Sequence, residues 1–590
     1  MIHRVILQSI ILLTIAFSSL AQRKVNVKII QTSDVHGVLF PFDYINNTAI
    51  DYGLAHVYTY VKKQRDNDEQ HVILLDNGDI LQGQPTVYYA NYVDTAGQHL
   101  VSQVMNFMNY DAATVGNHDI EAGHRVYDKL INDFDFPWLS ANIIDTRTGK
   151  PYFKPYTIIE RGGLRIAIMG LTTPGITKWL SPNLWANMEF TDMVEAATMW
   201  MDTIQTKENP HLVIGVFHSG HDATYEGGDP EKPMNENAST LVAQHVPGFD
   251  VVMVGHDHDR LVTKVANVEG DSVLIVDPSA RARLVADVTV NVKLDAEDNV
   301  VSKKTSGKLV PMHGLMPDPN FVSTFSSFTR NVEEFVDRRI GIFTAPVTSR
   351  DAYFGPSAFV NLIHAAQLGI SNSQISFAAP LSFNTTIEQG NVFVRDLFKL
   401  YSYENLLYIM NLTGQEVKDY LEYSYGLWLN TMASADDHLL LFRTNGSDKP
   451  ILHNNGRAIL KSSFYNFDSA AGINYEVDVT KPVGQRITII SMEDGSLFDL
   501  SNTYRVAINS YRGTGGGGHL TDGIGLTKEE MQQRIVNISS HDMRNYLMKW
   551  IERTGRITPE NPGNWKITPT IWTEAAAQRD RILLFGSDQN

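Results

Sequence analysis

The sequence contains no cysteine among its 590 residues. Disulfides, thiolate nucleophiles and cysteine-ligated zinc are therefore excluded, and cysteine usage says nothing about the redox compartment. Basic residues are also scarce, because 49 Lys and Arg stand against 66 Asp and Glu and give a formal net charge of −17. Such an acidic surface repels a phosphate backbone, so we expect no binding to polymeric nucleic acid. A site made locally positive by metal ions would still accept a small phosphate ligand.

The sequence also lacks an apolar run of the ~20 residues that a transmembrane helix needs. A shorter apolar stretch, residues 5–17, follows Arg4 and precedes the small residues of segment 18–21. A positive start, a short apolar core and a small-residue cleavage site are typical of a secretory signal peptide rather than of a membrane anchor. We therefore predict a signal peptide over residues 1–21, no transmembrane anchor, and a secreted protein that resides in a periplasm.

Short apolar runs alternate with helical stretches from residue 25 to about residue 310. The runs are 27–30, 72–75, 112–115, 166–169, 212–217 and 251–254. Runs of this length, bounded by Gly, Asn and Asp, indicate buried strands. Their alternation with amphipathic stretches predicts an α/β sandwich, in which helices cover the layers of sheet.

The rest of the chain has a different pattern. Aromatic and apolar residues recur at mostly helical spacing over 317–340, and we interpret this stretch as a connecting helix. The residues beyond it mix helical patterns (357–368 and 414–425) with strand-like runs (473–479, 486–490 and 504–509). We therefore predict a first domain over 22–316 and a second, α+β domain over 341–590.

Polar residues with metal-binding side chains follow five of the six apolar runs of the first domain. In chain order they are Asp34 and His36, Asp79, Asn117, His218, and His256 with His258. Each motif alone is more typical of a turn or of a structural residue. Because ligands bind at the carboxyl ends of strands in α/β sheets, we expect these side chains to converge at one edge.

The types of these side chains favour metal ions. Imidazole and carboxylate suit Zn, Mn or Fe. Two four-coordinate ions that share one bridging carboxylate need seven donors, which is the number found in this set. Ion pairs of this kind lie ~3.5–4 Å apart and hold the attacking and leaving oxygens of an in-line displacement. We therefore predict two divalent metal ions and leave their identity among Zn, Mn and Fe open.

Taken together, these motifs resemble the signature of the calcineurin-like metallophosphoesterases. The matching motifs are Asp34-Val35-His36, Gly78-Asp79, Gly116-Asn117-His118-Asp119, His218 and Gly255-His256-Asp257-His258. The second domain resembles the C-terminal domain of the secreted 5′-nucleotidase superfamily at Tyr403-Glu404-Asn405, Leu412-Thr413-Gly414, 504–507 and 511–517. Within that superfamily the chain is most similar to the 2′,3′-cyclic-nucleotide 2′-phosphodiesterase/3′-nucleotidase branch, at residues 171–174, 377–380, 465–468 and 509–512.

The resemblance implies a role for each matching residue. One ion would be held by Asp34, His36 and His258, the other by Asn117, His218 and His256, and Asp79 would bridge them. His118 would stabilise the transition state and the leaving oxygen, and Asn117 would also contact the substrate. Glu121 stands where some 5′-nucleotidases carry an Asp that orients this histidine. Tyr465 and Tyr511 match positions whose rings sandwich the base, and such stacking contributes ~1–3 kcal/mol per base.

Two departures separate the chain from typical 5′-nucleotidases. Residues 377–383 replace an Asn-Gly-Gly-x-Ile-Arg stretch, and residues 515–519 lack the Asp that follows two glycines in many members. Both favour the cyclic phosphodiesterase branch. The resemblance therefore implies an enzyme that hydrolyses 2′,3′-cyclic nucleotides and then 3′-nucleotides, and we expect this enzyme to be a monomer. The alternatives are a broad-specificity 5′-nucleotidase or sugar-nucleotide hydrolase, and a catalytically inactive secreted nucleotide-binding protein.

Overall fold

The computed structural model describes residues 23–447, 449–453 and 455–586. The predicted signal peptide lies outside these residues. Among them, no helix combines the length and the apolar character needed to cross a membrane. The described residues divide into two compact units, of which the first comprises those from 23 to 177 together with 182–333. The second comprises 178–181 and the described residues between 334 and 586.

The regular elements of the first unit are mainly strands with short helices between them. In chain order the strands are β1 (Arg23–Thr32), β2 (Phe42–Asp43), β3 (Thr48–Ala49), β4 (His71–Asp76), β5 (Ala112–Thr114), β6 (Trp138–Leu139), β7 (Ile143–Asp145), β8 (Lys150–Pro151), β9 (Tyr156–Arg161), β10 (Leu164–Thr172), β11 (Met188–Phe190), β12 (Leu212–His218), β13 (Val251–Val254), β14 (Arg260–Ala266), β15 (Ser272–Pro278), β16 (Leu284–Leu294) and β17 (Val300–Pro311). The helices are α1 (Leu54–Arg65), α2 (Pro85–Tyr92), α3 (Leu100–Met108), α4 (Asn117–Glu121), α5 (His124–Asp133), α6 (Ile176–Trp179), α7 (Met193–Thr203), α8 (Ser239–His245), α9 (Pro319–Thr324) and α10 (Ser326–Val336).

Two six-stranded sheets form the centre of this unit. Their strand orders are β17-β16-β1-β4-β5-β6 and β14-β15-β13-β12-β10-β9. Strands β1, β4, β5 and β6 are parallel, as are β10, β12, β13 and β15, so their carboxyl ends point the same way within each sheet. One buried cluster joins the facing sides of the two sheets and includes Ile29 and Leu75 from one and Ile168, Val216 and Met253 from the other. The six predicted strands and the predicted α/β sandwich are thus confirmed.

Helices cover the outer side of the second sheet. Helix α7 begins where the Asp192 carboxylate accepts hydrogen bonds from the backbone amides of Val194 and Glu195, which satisfies amides that have no partner within the helix. Its buried residues Met193 and Ala197 pack with Val242 of α8 against the sheet. Because these helices cover the outer side of the sheet, they leave the carboxyl ends of its strands uncovered. The loops that follow these strand ends can therefore carry functional side chains.

The second unit is a mixed α+β structure. Its strands are β18 (Arg339–Phe343), β19 (Val347–Thr348), β20 (Ile375–Ala378), β21 (Thr386–Ile387), β22 (Gly390–Phe393), β23 (Leu406–Thr413), β24 (Ser469–Ala471), β25 (Ile473–Asp478), β26 (Ile487–Met492), β27 (Thr503–Asn509), β28 (Ile535–Asp542), β29 (Arg556–Ile557) and β30 (Trp565–Thr568). Its helices are α11 (Ala358–Ser371), α12 (Val394–Leu400), α13 (Gly414–Trp428), α14 (Ser510–Gly513), α15 (Lys528–Arg534), α16 (Met543–Thr554) and α17 (Thr570–Phe585).

A five-stranded sheet, β24-β20-β27-β23-β28, is the largest sheet of the second unit. Helix α13 starts with a capping box, in which the Thr413 hydroxyl accepts from the amide of Glu416 and the Glu416 carboxylate accepts from the amide of Thr413. Its inner face buries Tyr420 and Trp428 in the same cluster as Phe377 of β20. The stretch 317–340 holds two helices, α9 and α10, and the beginning of β18 rather than one continuous helix.

Candidate metal centre

The predicted donors lie on loops that leave the carboxyl ends of both central sheets. Asp34 and His36 follow β1 and Asp79 follows β4, both in the first sheet, whereas His218 ends β12 in the second. We expected a single sheet edge, but the donors come from two edges that the shared apolar core holds side by side. The loops are joined directly, because the amides of Asp34 and His36 donate to the carbonyls of Gly78 and Asp79 at 3.0 and 2.9 Å.

One group of donors consists of Asp34, His36 and His258, whose ligand atoms all lie within 4.8 Å of one another. The Nε2 atoms of His36 and His258 are 3.0 Å apart, and Nε2 of His258 is 3.3 Å from Oδ1 of Asp34. Nδ1 of His36 faces the Gln82 carbonyl at 3.2 Å, which assigns the ring proton to Nδ1 and the lone pair to Nε2. Burial and the charge of His258 lower the pKa of His36 to about 3, so its imidazole is neutral and able to coordinate a cation.

The other group consists of Asp79, His218 and His256, again within 4.8 Å of one another. Nε2 of His218 is 3.2 Å from Oδ2 of Asp79 and 3.1 Å from Oδ1 of Asn117. Burial would lower the pKa of His218, but the adjacent Asp79 carboxylate raises it to about 10. This shift shows that the surroundings of His218 strongly favour a positive charge, and a divalent cation would supply that charge in place of the proton.

Asp79 is buried, belongs by distance to the second group and also interacts electrostatically with a donor of the first. Its Oδ1 accepts a 2.8 Å hydrogen bond from the amide of His118, and its Oδ2 faces His218. Burial would raise the pKa of Asp79, but the charges of His218, His118 and His36 bring it well below the usual range. Because His36 belongs to the other group, the Asp79 carboxylate acts electrostatically on both.

Five of the seven donors have left-handed backbone conformations. The φ angles are 49° for Asp34, 49° for His36, 58° for Asp79, 83° for His256 and 57° for His258. Each costs on the order of 1–3 kcal/mol in a residue with a side chain and persists only where the surroundings impose it. Strain of this kind concentrates at functional sites. Together with the buried donor chemistry, it fits the requirements of a metal centre.

Asp119, which sequence reasoning left without a role, positions Asp79. Its buried carboxylate accepts from the amides of Asp79, Ile80 and Leu81 at 3.0, 3.1 and 3.1 Å, and from that of Gly116 at 2.8 Å. One side chain therefore fixes the loop that carries Asp79 against the loop that carries Asn117. The signal in the sequence is its place at the end of the Gly-Asn-His-Asp motif.

Gly116 offers a test of how closely these two loops must approach. A Cβ atom at this position would lie 2.1 Å from Oδ1 of Asp79 and 2.4 Å from its amide nitrogen. Gly116→Ala must therefore displace the Asp79 carboxylate, and a misplacement of about 1 Å is expected to lower activity by about 100-fold. Gly446→Ala is the control, because nothing lies within 4 Å of its Cβ position. Phosphoesterase activity and retained metal are to be measured; a fully active Gly116→Ala would contradict the packing described.

His118 and Glu121 form a pair beside the two groups. Nδ1 of His118 is 2.5 Å from Oε2 of Glu121, one turn later in α4. Burial would lower the pKa of His118, but the charges of Asp79 and Glu121 and the hydrogen bond to Glu121 raise it to about 9. The two neighbouring carboxylates therefore favour the protonated imidazole, and because Glu121 occupies Nδ1, Nε2 is the nitrogen that could donate a proton. This arrangement suits a general acid.

Tyr465 and Tyr511 lie together in the second unit, with ring centroids 6.4 Å apart and planes at 87°. Perpendicular rings cannot both stack on one base, so one of the two rings would have to rotate before a base could stack between them. Stacking of the base between Tyr465 and Tyr511 therefore stays a prediction. Beneath them Arg512 and Asp468 form a buried ion pair, and Arg512 also donates to the Tyr465 carbonyl at 2.5 Å. Segment 377–383, which differs from the typical 5′-nucleotidase sequence, contains Phe377. The ring of Phe377 stacks on that of Tyr420, with ring centroids 4.0 Å apart.

Comparison with known proteins agrees with this architecture. Residues 27–260 match the family model of the calcineurin-like phosphoesterases, and residues 339–522 match that of the 5′-nucleotidase C-terminal domain. The class that the fold and the metal centre define is therefore a metal-dependent phosphoester hydrolase. More narrowly, the chain belongs to the metallophosphoesterases that carry a 5′-nucleotidase C-terminal domain.

Relatives are similar over most of the chain. It is 27% identical to the trifunctional nucleotide phosphoesterase protein YfkN of Bacillus subtilis, over 94% of this chain but only 40% of that protein's length. It is also 27% identical to the 2′,3′-cyclic-nucleotide 2′-phosphodiesterase/3′-nucleotidase of Salmonella typhimurium, over 95% of this chain and 91% of the relative. A Staphylococcus aureus protein provisionally assigned as a 5′-nucleotidase shares the fold, with a TM-score of 0.74, 20% identity and coverage of 92% of this chain and 99% of that one.

Proposed function

We propose that the protein hydrolyses 2′,3′-cyclic nucleotides to 3′-nucleotides and then to nucleosides and inorganic phosphate, with the help of two divalent cations. The observation that supports this most is the two groups of three donors within 4.8 Å, with Asp79 buried beside the His118–Glu121 pair. The similarity to the Salmonella enzyme over nearly the whole of both chains selects the cyclic-nucleotide branch. Zn, Mn and Fe all suit the donor set.

The residues that would hold the cations follow from the two groups. Asp34, His36 and His258 would hold one, Asn117, His218 and His256 the other, and Asp79 would bridge them. Bound divalent cations lower the pKa of water toward ~7 and neutralise charge on phosphoryl oxygens. Because Oδ1 of Asn117 faces His218, Nδ2 of Asn117 could donate a hydrogen bond to a phosphoryl oxygen of the substrate.

His118 would transfer the proton that the leaving oxygen needs. The ribose oxygen departs as an alkoxide unless a group donates a proton to it, and the hydrogen bond and charge of Glu121 favour the protonated form of His118. Glu121 holds Nδ1 of the same ring, so Nε2 is the nitrogen that donates. In the ring-opening step a 2′ oxygen receives the proton, and in the second step a 3′ oxygen receives it.

The second unit would bind the nucleoside. We propose that residues 22–316 carry the metal centre, that 317–340 connect the domains and that 341–590 bind the base through Tyr465 and Tyr511. Export to the periplasm and a monomeric state belong to the same proposal. Fractionation of cells that express the full chain, and light scattering of the purified protein, would test these two points.

Loss of the stacking rings should weaken nucleotide binding without changing the chemistry. Tyr511→Ala or Tyr465→Ala is expected to raise KM for 3′-AMP by about 5- to 150-fold, because base stacking contributes about 1–3 kcal/mol. Hydrolysis of a phosphoester without a base, such as p-nitrophenyl phosphate, should be unchanged. Steady-state kinetics on both substrates checks this, and an equal loss on both would show that the tyrosines stabilise the fold instead.

The substrate assignment can be decided with three nucleotides. Purified protein with Mn²⁺ or Zn²⁺ should turn over 2′,3′-cyclic AMP and 3′-AMP. Turnover of 5′-AMP alone would overturn the proposal in favour of a 5′-nucleotidase. An inactive binding protein is disfavoured, because every one of the seven donors is present.

A further inference from the structure

Three histidines of the metal centre each have one ring nitrogen that contacts a hydrogen-bond acceptor of the protein. Nδ1 of His36 faces the Gln82 carbonyl at 3.2 Å, and Nδ1 of His218 faces the Asn77 carbonyl at 2.6 Å. His118 uses the Glu121 carboxylate in the same way. Such partners fix which nitrogen carries the proton and how the ring is oriented.

The corresponding partner of His256 is Glu236. Oε1 of Glu236 lies 3.3 Å from Nε2 of His256, and the two side chains are 31% and 14% exposed. A carboxylate accepts hydrogen bonds, so it assigns the proton to Nε2 and leaves the lone pair on Nδ1. The backbone amide of His256 donates to the Asp34 carboxylate at 3.1 Å, so the ring and the backbone of this residue are both held in place.

The backbone of Glu236 is itself fixed to the strand ends of the second sheet. Its carbonyl accepts from the hydroxyls of Ser219 at 2.7 Å and Thr173 at 2.9 Å. Ser219 directly follows the donor His218, and its hydroxyl also accepts from the amide of Ala238 at 2.9 Å. The loop is thus attached to the segment that carries His218 at Glu236 itself and at Ala238, which a solvated surface carboxylate would not require.

We propose that Glu236 is a positioning residue of the metal centre, which orients His256 so that Nδ1 coordinates the second cation. This inference deepens the proposed function and rests on it. The carboxylate also raises the electron density of the imidazole, which strengthens it as a ligand. Glu236 then acts on the cation only through His256 and does not coordinate it.

The test measures cation binding rather than turnover. The metal-depleted chain is titrated with Mn²⁺ against a fluorescent chelator, and the two dissociation constants are compared among variants. Glu236→Ala is expected to weaken one of the two sites by about 10- to 100-fold and to leave the other unchanged. Glu236→Gln should have a smaller effect, because its amide oxygen still accepts a hydrogen bond. Glu231→Gln removes the same charge from an exposed position nearby and should bind as the wild type does.

A double-mutant cycle shows whether Glu236 acts through His256. In a His256→Ala background, Glu236→Ala should cause no further loss of affinity, because the group that it orients is gone. An equal loss in both backgrounds would overturn the proposal, since Glu236 would then act as a ligand in its own right. Unchanged affinities in Glu236→Ala would overturn it too.

Two controls distinguish a positioning role of Glu236 from a structural role and from failure of the proposed function. Metal-free Glu236→Ala should melt at the same temperature as the metal-free wild type, whereas the rise in Tm on adding Mn²⁺ should be smaller. An equal loss of Tm with and without Mn²⁺ would indicate a structural role and contradict the proposal. A wild-type chain that binds no divalent cation would contradict the proposed function itself, whereas wild-type affinities in the variants would contradict only the role of Glu236.

Discussion

Asp79→Asn is expected to lower kcat/KM for 3′-AMP by about 10³-fold or more. The substitution keeps the shape of the side chain but removes the buried negative charge between the two donor groups. Loss of one preorganised electrostatic contact commonly costs about 10²–10³-fold, and this carboxylate would also serve two cations. Activity at saturating Mn²⁺ and the number of cations retained after dialysis are the measurements.

The control for Asp79 is Asp68→Asn, which neutralises an exposed carboxylate in the same unit. It should retain full activity. The melting temperature of the metal-free Asp79→Asn protein should fall, because the charges of His218, His118 and His36 favour the Asp79 carboxylate in the folded chain and bring its pKa well below the usual range. An Asp79→Asn variant that keeps both cations and most of its activity would show that this residue does not bridge them.

His118→Ala is expected to lower kcat for 3′-AMP by about 10²–10⁴-fold, the usual contribution of general acid–base catalysis. The effect should depend on the leaving group. A nitrophenolate departs without protonation, so hydrolysis of p-nitrophenyl phosphate should suffer much less than hydrolysis of 3′-AMP. Steady-state kinetics on the two substrates separates loss of a proton donor from damage to the metal centre.

Two further variants strengthen the assignment of His118. Glu121→Gln should reduce kcat for 3′-AMP by about tenfold alone and have no additional effect in the His118→Ala background, because it acts through that ring. His453→Ala, at an exposed position of the second unit, should be neutral. Equal losses on both substrates in His118→Ala would refute the proton-donor role.

The candidate donors of the metal centre could be predicted because the ends of buried strands can be located in the sequence. A buried strand needs a continuous apolar run, and the residue at which the run stops marks the edge of a sheet. Asp34 and His218 are found in this way. The pairing of the strands is not visible in the runs, so which strands belong to which of the two sheets could not be predicted. Strand β17 was missed because it is exposed and reads Ser-Lys-Lys-Thr-Ser-Gly-Lys over 302–308.

The residues that support the donors were harder to predict. Asp119 and Glu236 lie in polar segments without apolar periodicity, and their importance depends on which backbone amides or ring nitrogens the fold brings to them. The perpendicular arrangement of Tyr465 and Tyr511 was likewise hidden, because a resemblance in sequence gives positions and not side-chain rotamers. Sequence therefore identified the groups that would touch a cation more readily than the groups that hold them.

Anomalous diffraction from crystals of the Mn²⁺-loaded protein would show whether the centre holds two cations. We expect two manganese peaks about 3.5–4 Å apart, one beside Asp34, His36 and His258, the other beside Asn117, His218 and His256, with the Asp79 carboxylate between them. A single peak, or peaks away from these side chains, would contradict this expectation.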